Sequence, residues 1–185
     1  MLLGGSMGPT TIDTPMLAVG ARRWIIELPR PGEAKPGRLV LNPSDAETQG
    51  FKMASLVGGH SERDGGGLHD AVFGCLKHKV TERSMCGLVT FDTGAFFARL
   101  LNVPQSAPQW KAGDALELQL MTPDRQPVAS VDWTTGGHAQ QVAYGTAPAR
   151  GTILQMGVAP YYALSVLYDP GRRRLGFKAR PPSAP

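Results

Sequence analysis

Glycine and proline interrupt this chain about every fifth residue, and this spacing limits its secondary structure more than any other feature. The 185 residues include 23 glycines and 16 prolines. Both residues are unfavourable inside helices, so a bundle of long helices and a coiled coil are excluded. The composition, 42% hydrophobic and 18% charged, still provides a core, which excludes a disordered chain. The sequence therefore predicts short strands joined by turns.

Short apolar and β-branched runs, bounded by turn residues, predict where the strands lie. Residues 23–28 and 38–41 flank a turn rich in Pro and Gly, and they predict a hairpin. Residues 115–121, ALELQLM, alternate with the period of two that is typical of a half-buried strand. The remaining predicted strands are 51–57, 70–76, 87–91, 127–133, 139–144, 152–154, 161–168 and 174–177, with 127–133 and 139–144 forming an antiparallel pair.

Few helices are expected between these strands. The sequence predicts a helical turn at 16–19, a short helix within 93–101, where Ala, Phe and Leu recur at helical spacing, and another near 106–111. Residues 58–67, GGHSERDGGG, cannot pack and are expected to form a flexible loop.

The charge pattern argues against nucleic-acid and membrane partners. The net charge is +4, and much of the excess lies near the C-terminus, at Arg172, Arg173, Arg174, Lys178 and Arg180. No stacking aromatic residues are interleaved with this cluster, so we expect a solvated turn there and no nucleic-acid site. No apolar run has the length of a membrane span, and the first 15 residues lack the basic and apolar parts of a secretory signal. If the chain is complete, we expect a cytoplasmic protein.

The two cysteines, Cys75 and Cys86, flank a ten-residue stretch. The sequence contains no CxxC pair, and His60, His69, His78 and His138 are scattered singly, so we expect neither a metal site nor a cofactor. A disulfide that closes a hairpin and two buried thiols are both compatible with this spacing, depending on the compartment.

The segment 87–97, GLVTFDTGAFF, carries the strongest indication of chemistry. Asp92 follows a hydrophobic strand, and Thr93 and Gly94 make a tight turn directly after it. Asp is common at such junctions because its side chain bonds the backbone two residues on, so the tripeptide alone also fits an ordinary turn.

The order of several motifs resembles the C-terminal half of a pepsin-like, bilobal aspartic peptidase. Residues 90–95, TFDTGA, match the active-site motif of that family. The other matching segments are 24–28 with 37–42, which resemble the crossover hairpin between the lobes, and 153–157, 161–162, 166–169 and 174–177. Leu2, Leu3 and Gly4 resemble the end of the first lobe.

This resemblance implies an all-β acid-protease lobe of antiparallel, barrel-like sheets with one or two short helices, related also to retropepsins. Residues 1–40 would hold the end of a first-lobe-like segment and the crossover hairpin, 41–180 the C-terminal lobe, and 181–185 a tail. Strands around the active-site loop would bury Leu88, Phe91, Leu154, Val166, Leu175 and Phe177. Trp24, Ile26 and Leu39 would pack together in the first hairpin.

The resemblance also implies the chemistry: hydrolysis of a peptide or protein substrate by a water that Asp92 activates. Thr93, Gly94, Ala95 and Gly157 would support the active-site loop. The family uses two aspartates that share a proton. This chain has one Asp-Thr-Gly, and Asp13, which Thr14 and Pro15 follow, is not expected to be its partner.

A single aspartate leaves three explanations open. The chain can be a fragment that lacks an N-terminal lobe, a subunit of a homodimer as in retropepsins, or an inactive relative that serves as a binding or inhibitor-like module. The Leu-Leu-Gly at its start favours the fragment. A fragment of a longer pepsin-like protein would be secreted or periplasmic.

Two positions depart from the family pattern. Pepsin-like lobes usually carry Ser or Thr after Asp-Thr-Gly, and the hydroxyl of that residue bonds the outer carboxylate oxygen. This chain has Ala95 at that position, as retropepsins often do. The family's Ile-Leu-Gly is interrupted here as Ile-Leu-Gln-Met-Gly, so Gly157 would serve in a shifted register.

Overall fold

The computed structural model describes residues 15–57, 71–137, 139–147 and 151–181. Of these residues, 46% lie in strands and 10% in helices, which confirms the prediction of an all-β chain. Several predicted features lie outside the described residues: Leu2 to Gly4, Asp13, the loop 58–67, the histidines His60, His69 and His138, and residues 182–185 of the tail.

Twelve strands and three short α-helices make up the described part of the chain. The strands are β1 (Trp24–Glu27), β2 (Arg38–Leu41), β3 (Lys52–Ser55), β4 (Val72–His78), β5 (Ser84–Phe91), β6 (Phe97–Leu101), β7 (Ala115–Met121), β8 (Pro127–Thr134), β9 (Gln141–Gly145), β10 (Ile153–Met156), β11 (Leu164–Asp169) and β12 (Arg174–Ala179). The helices are α1 (Pro15–Ala18), α2 (Asp45–Thr48) and α3 (Ala159–Ala163), and Pro170–Arg172 forms a 3-10 turn.

Five strands form an antiparallel sheet in the order β2-β1-β11-β12-β3. The predicted hairpin of the first two strands is confirmed, and β1 lies between β2 and β11. Trp24 is fully buried and stacks on Tyr168 of β11 with ring centroids 5.5 Å apart. Leu39 lies opposite Ile26 but remains 43% exposed, because β2 is the edge strand and nothing among the described residues covers it.

Seven strands form the second sheet in the order β8-β7-β4-β5-β10-β6-β9. Its pairs are antiparallel except for β5 with β10 and β6 with β9, which are parallel. The strand β10 therefore lies between β5 and β6, which are consecutive in the chain. This insertion brings residues 153–156 beside residues 88–91, more than sixty positions earlier in the sequence.

Alternation along the strands builds the core. Leu116, Leu118 and Leu120 of β7 are fully buried, as their period of two predicts. The expected burial is also confirmed for Leu154, Val166, Leu175 and Phe177. Burying each such side chain stabilises the fold by about 1.5–3 kcal/mol. Leu88 and Phe91 were expected to be buried but are half-buried.

The helix predicted within 93–101 is wrong, because residues 97–101 form the strand β6. Ala98 and Leu100 point into the core on alternate positions, and β6 pairs with β10 on one side and with β9 on the other. Pairing on both sides outweighs the helical spacing of the apolar residues. The helix near 106–111 is wrong as well: a turn closes from Ala107 to Pro104, and residues 108–111 have no regular secondary structure.

Two strand predictions also need correction. The segment 139–144 does not pair with 127–133: β9 lies parallel to β6, while β8 pairs with β7. The predicted strand 161–168 begins only at Leu164, because Tyr161 belongs to α3, which starts with a proline in its first turn.

Cys75 and Cys86 lie directly opposite each other on β4 and β5 and form a disulfide. Of the two alternatives that the sequence left open, the structure contains the bridge. The bridge joins strands that a short turn already connects, so it closes a small loop.

Reducing this disulfide is expected to lower the free energy of unfolding by about 2–3 kcal/mol, because the reduced unfolded chain gains the entropy of an open loop. Thermal unfolding with and without reductant measures the effect, and the Cys75→Ala/Cys86→Ala variant serves as the control that reductant does not affect. Free thiols in the oxidised wild-type protein, or an unchanged unfolding temperature after complete reduction, would contradict the prediction.

A polar cluster joins the ends of β1 and β12. Arg180 donates to the carbonyl oxygens of Leu28 and Tyr161, and its guanidinium lies 3.5 Å from the Glu33 carboxylate. The backbone N–H of Arg30 donates to Glu33 at 2.8 Å. That hydrogen bond lowers the pKa of the Glu33 carboxyl, partial desolvation opposes it, and the Arg180 and Arg30 charges lower it further.

Because the pKa of Glu33 is lower in the folded state, its stabilising effect is present above the unfolded-state pKa and is lost as the pH falls through the folded-state value. We expect Glu33→Gln to destabilise the protein at neutral pH, by an amount that shrinks in acid. Urea unfolding at a series of pH values measures this difference. Asp124→Asn, which removes a carboxylate from an exposed turn, is the matched control. A difference that grows as the pH falls would refute the assignment.

Candidate functional site

Asp92 lies at the end of β5, where the chain leaves the sheet in a tight turn. Its backbone N–H donates to the carbonyl of Met156 on the neighbouring β10, at 2.8 Å. The Ala95 N–H donates back to the Asp92 carbonyl, at 3.4 Å, which closes the turn. The apolar strand before Asp92 and the Thr93-Gly94 turn after it thus fix the position of its backbone.

Two hydrogen bonds orient the Asp92 carboxylate. Oδ1 accepts from the backbone N–H of Gly94 at 2.8 Å, and Oδ2 accepts from Nε2 of Gln155 at 3.4 Å. The first is the local bond expected of an Asp in a turn. The second comes from β10, and it ties the carboxylate to a strand that is distant in sequence.

Gly157 lies directly under the turn. The next residue, Val158, donates its N–H to the carbonyl of Ala95 at 2.9 Å. A Cβ at Gly157 would lie 2.3 Å from the carbonyl oxygen of Ala95 and 2.8 Å from that of Phe97, distances that only a glycine permits. The structure therefore brings together the residues predicted for this site: Asp92, Thr93, Gly94, Ala95 and Gly157.

Aromatic side chains support the site from below. Phe91 contacts Phe177 of β12, with ring centroids 5.5 Å apart, and meets Tyr161 of α3 edge to face at 6.0 Å. Since Phe177 belongs to the other sheet, Phe91 packs the strand that precedes Asp92 against that sheet. Half-burial of Phe91 follows from this position at the rim of the core.

The surface beside the turn is apolar. Phe96 is 64% exposed and Phe97 is 41% exposed, although both follow the turn directly. These two rings give the segment that follows the turn an exposed apolar surface.

Two contributors to this site do not follow from the sequence. In the sequence, Gln155 is only an interruption of an apolar strand, and Phe97 lies within a predicted helix. A polar residue inside the run Ile-Leu-Gln-Met was the available signal for Gln155. Its contact could not be read from the sequence, because it depends on the parallel pairing of β10 with β5.

The other candidate groups lie elsewhere. The Cys75–Cys86 disulfide joins β4 to β5, and Cys86 precedes Asp92 by six residues. His78 caps the β4–β5 turn, where its Nδ1 accepts from the N–H groups of Val80 and Thr81.

Two further features are absent from residues 15–57, 71–137, 139–147 and 151–181. No group of three or more His, Cys, Asp or Glu side chains could hold a metal ion, and no helix is long and apolar enough to cross a membrane.

No protein-family model and no curated protein sequence matches this chain. The function must therefore be inferred from the geometry of the site and from the motifs in the sequence.

Replacing Gly157 by alanine tests the packing under the turn. We expect Gly157→Ala to lower the free energy of unfolding by about 3 kcal/mol, because the new methyl group would press on two backbone oxygens that cannot move independently. Gly171→Ala is the matched control, since its Cβ would meet nothing closer than 3.9 Å. Chemical unfolding measures both variants, and equal stabilities would contradict the close packing.

Proposed function

We propose that this chain is one lobe of a pepsin-like aspartic endopeptidase. In this proposal Asp92 activates the water that attacks a peptide carbonyl, and a second carboxylate comes from another lobe or from a second copy of the chain. The observation that carries the proposal is the Asp92 carboxylate at the end of a sheet strand, with one oxygen held by Gly94 and the other by Gln155.

The geometry holds Asp92 in a fixed orientation, because an N–H donor contacts each of its carboxylate oxygens. Peptide hydrolysis requires activation of the water and a proton for the departing amine. Two carboxylates about 3 Å apart supply both functions, because they share a single proton. Asp92 can serve as one of these two carboxylates.

The strand arrangement supports the family assignment. The segment 153–157, which resembles the family's apolar Gly-ending motif, lies beside the Asp-Thr-Gly turn and packs Gly157 against it. The segments that resemble the crossover hairpin and the closing strands of the family form β1, β2, β11 and β12 of one sheet. Each motif is short, but the contact between the segment 153–157 and the Asp-Thr-Gly turn supports the proposal over an ordinary Asp turn.

The exposed rings support the need for a partner. Phe96 and Phe97, which follow the candidate carboxylate closely in the chain, present apolar surface to solvent. Covering two aromatic rings releases surface water and favours association. A second lobe or copy that brought its own aspartate to Asp92 would cover them in the same step.

Peptide cleavage at acid pH tests the proposal. We expect no pepstatin-sensitive cleavage by the dilute chain. We expect cleavage once the chain dimerises at high concentration or once a complementary lobe is added, and its loss as the pH rises to neutral, because the shared proton is then lost. Asp92→Asn should reduce the rate at least about a thousandfold, because it removes a member of a unit that acts together.

The matched control is Asp124→Asn, which removes an exposed carboxylate from a turn and should leave the rate unchanged. Cleavage that survives Asp92→Asn would overturn the proposal. Absence of cleavage by the assembled protein, together with retained peptide binding, would favour the alternative of an inactive binding module.

A further inference from the structure

We infer that Gln155 is a positioning residue for the Asp92 carboxylate. Its side-chain amide donates to Oδ2, the oxygen that Gly94 does not bind, and so supplies the support that residue 95 cannot give as an alanine. The inference rests on the proposed function in one respect only: the orientation of Asp92 matters for catalysis if Asp92 is the catalytic carboxylate.

The parallel register of β5 and β10 brings the two side chains together. Gln155 lies beside Thr90, and Asp92 follows Thr90 by two positions, on the same face of the sheet. A diagonal neighbour at this spacing is within reach of a long side chain but not of a short one. Glutamine covers the distance, and its Nε2 lies 3.4 Å from Oδ2.

Gln155 is a polar residue in the otherwise apolar strand β10, and its presence there requires an explanation. Its strand neighbours Ile153, Leu154 and Met156 are buried and apolar, whereas Gln155 is polar and half-buried. A partly desolvated amide is costly unless it is hydrogen-bonded. The Asp92 carboxylate is the hydrogen-bond acceptor that offsets this cost. The hydrogen bond to Asp92 therefore explains why a polar residue occupies this position in β10.

Residue 95 has no group left to offer the carboxylate. Its side chain is a methyl, its N–H donates to the Asp92 carbonyl, and its carbonyl accepts from Val158. The turn itself thus provides a donor for Oδ1, through Gly94, and none for Oδ2. The second donor comes from the adjacent strand.

NMR of the chain alone tests the contact without reference to activity. The side-chain amide signals of Gln155 should shift clearly in Asp92→Asn, because that substitution removes the charge from the acceptor. Gln119 provides an internal control: its amide donates to the Glu117 carboxylate at 2.8 Å on the same sheet, and its signals should not move in Asp92→Asn. Gln155 signals that stay in place while the fold is intact would overturn the inference.

Kinetics of the assembled protein test the consequence. We expect Gln155→Leu to lower kcat about tenfold with little change in KM, the size of effect that one hydrogen bond to a charged group can produce. Gln155→Glu should cause a larger loss, because it places a carboxylate against Asp92. Gln119→Leu should leave kcat unchanged.

A rescue separates positioning from general damage to the strand. Ala95→Ser in the Gln155→Leu background should restore much of kcat, because a hydroxyl at residue 95 again supplies a donor to the carboxylate. Unchanged kcat in Gln155→Leu would overturn the inference, and so would failure of the serine to restore any activity. If the wild-type protein cleaves nothing, the proposed function fails, while the amide shifts still decide the contact.

Discussion

Insertion of β10 between β5 and β6 is the constraint on which the rest of this structure depends. Hydrogen bonds on both sides of the strand hold residues 153–156 next to the end of β5, and the chain then passes under the Asp92 turn at Gly157. The same insertion presents Gln155 to the carboxylate and turns the residues after the turn into a strand. Disturbing it would therefore affect the site and both of its supporting strands together.

The site combines a well-supported carboxylate with an uncovered surface. Asp92 is bound through both oxygens, and its strand is anchored through Phe91 to aromatic residues of the other sheet and of α3. Phe96 and Phe97, which follow the turn in the chain, are exposed to solvent. In the proposed function, association would add a second carboxylate to a geometry that is already fixed.

Most strands could be predicted from the sequence, because period-two alternation and Pro-Gly turns are local signals. Residues 115–121 and the hairpin of β1 with β2 are examples. The segment 97–101 shows where local reasoning fails: its apolar residues fit a helix, and only pairing with β10 and β9 makes it a strand. The parallel pairing of β9 with β6 is equally invisible in the sequence, since no turn connects the two.

The sequence by itself determined the all-β class, the Asp-Thr-Gly turn after an apolar strand, and the pair of cysteines. Each depends on residues that lie close together in the chain, so composition and spacing are sufficient to find them. Only the tertiary structure decided that the cysteines are bridged, that Gly157 lies under Ala95, and that Gln155 supports Asp92. These contacts join segments far apart in the chain or depend on strand register, and register is set by how the whole core packs.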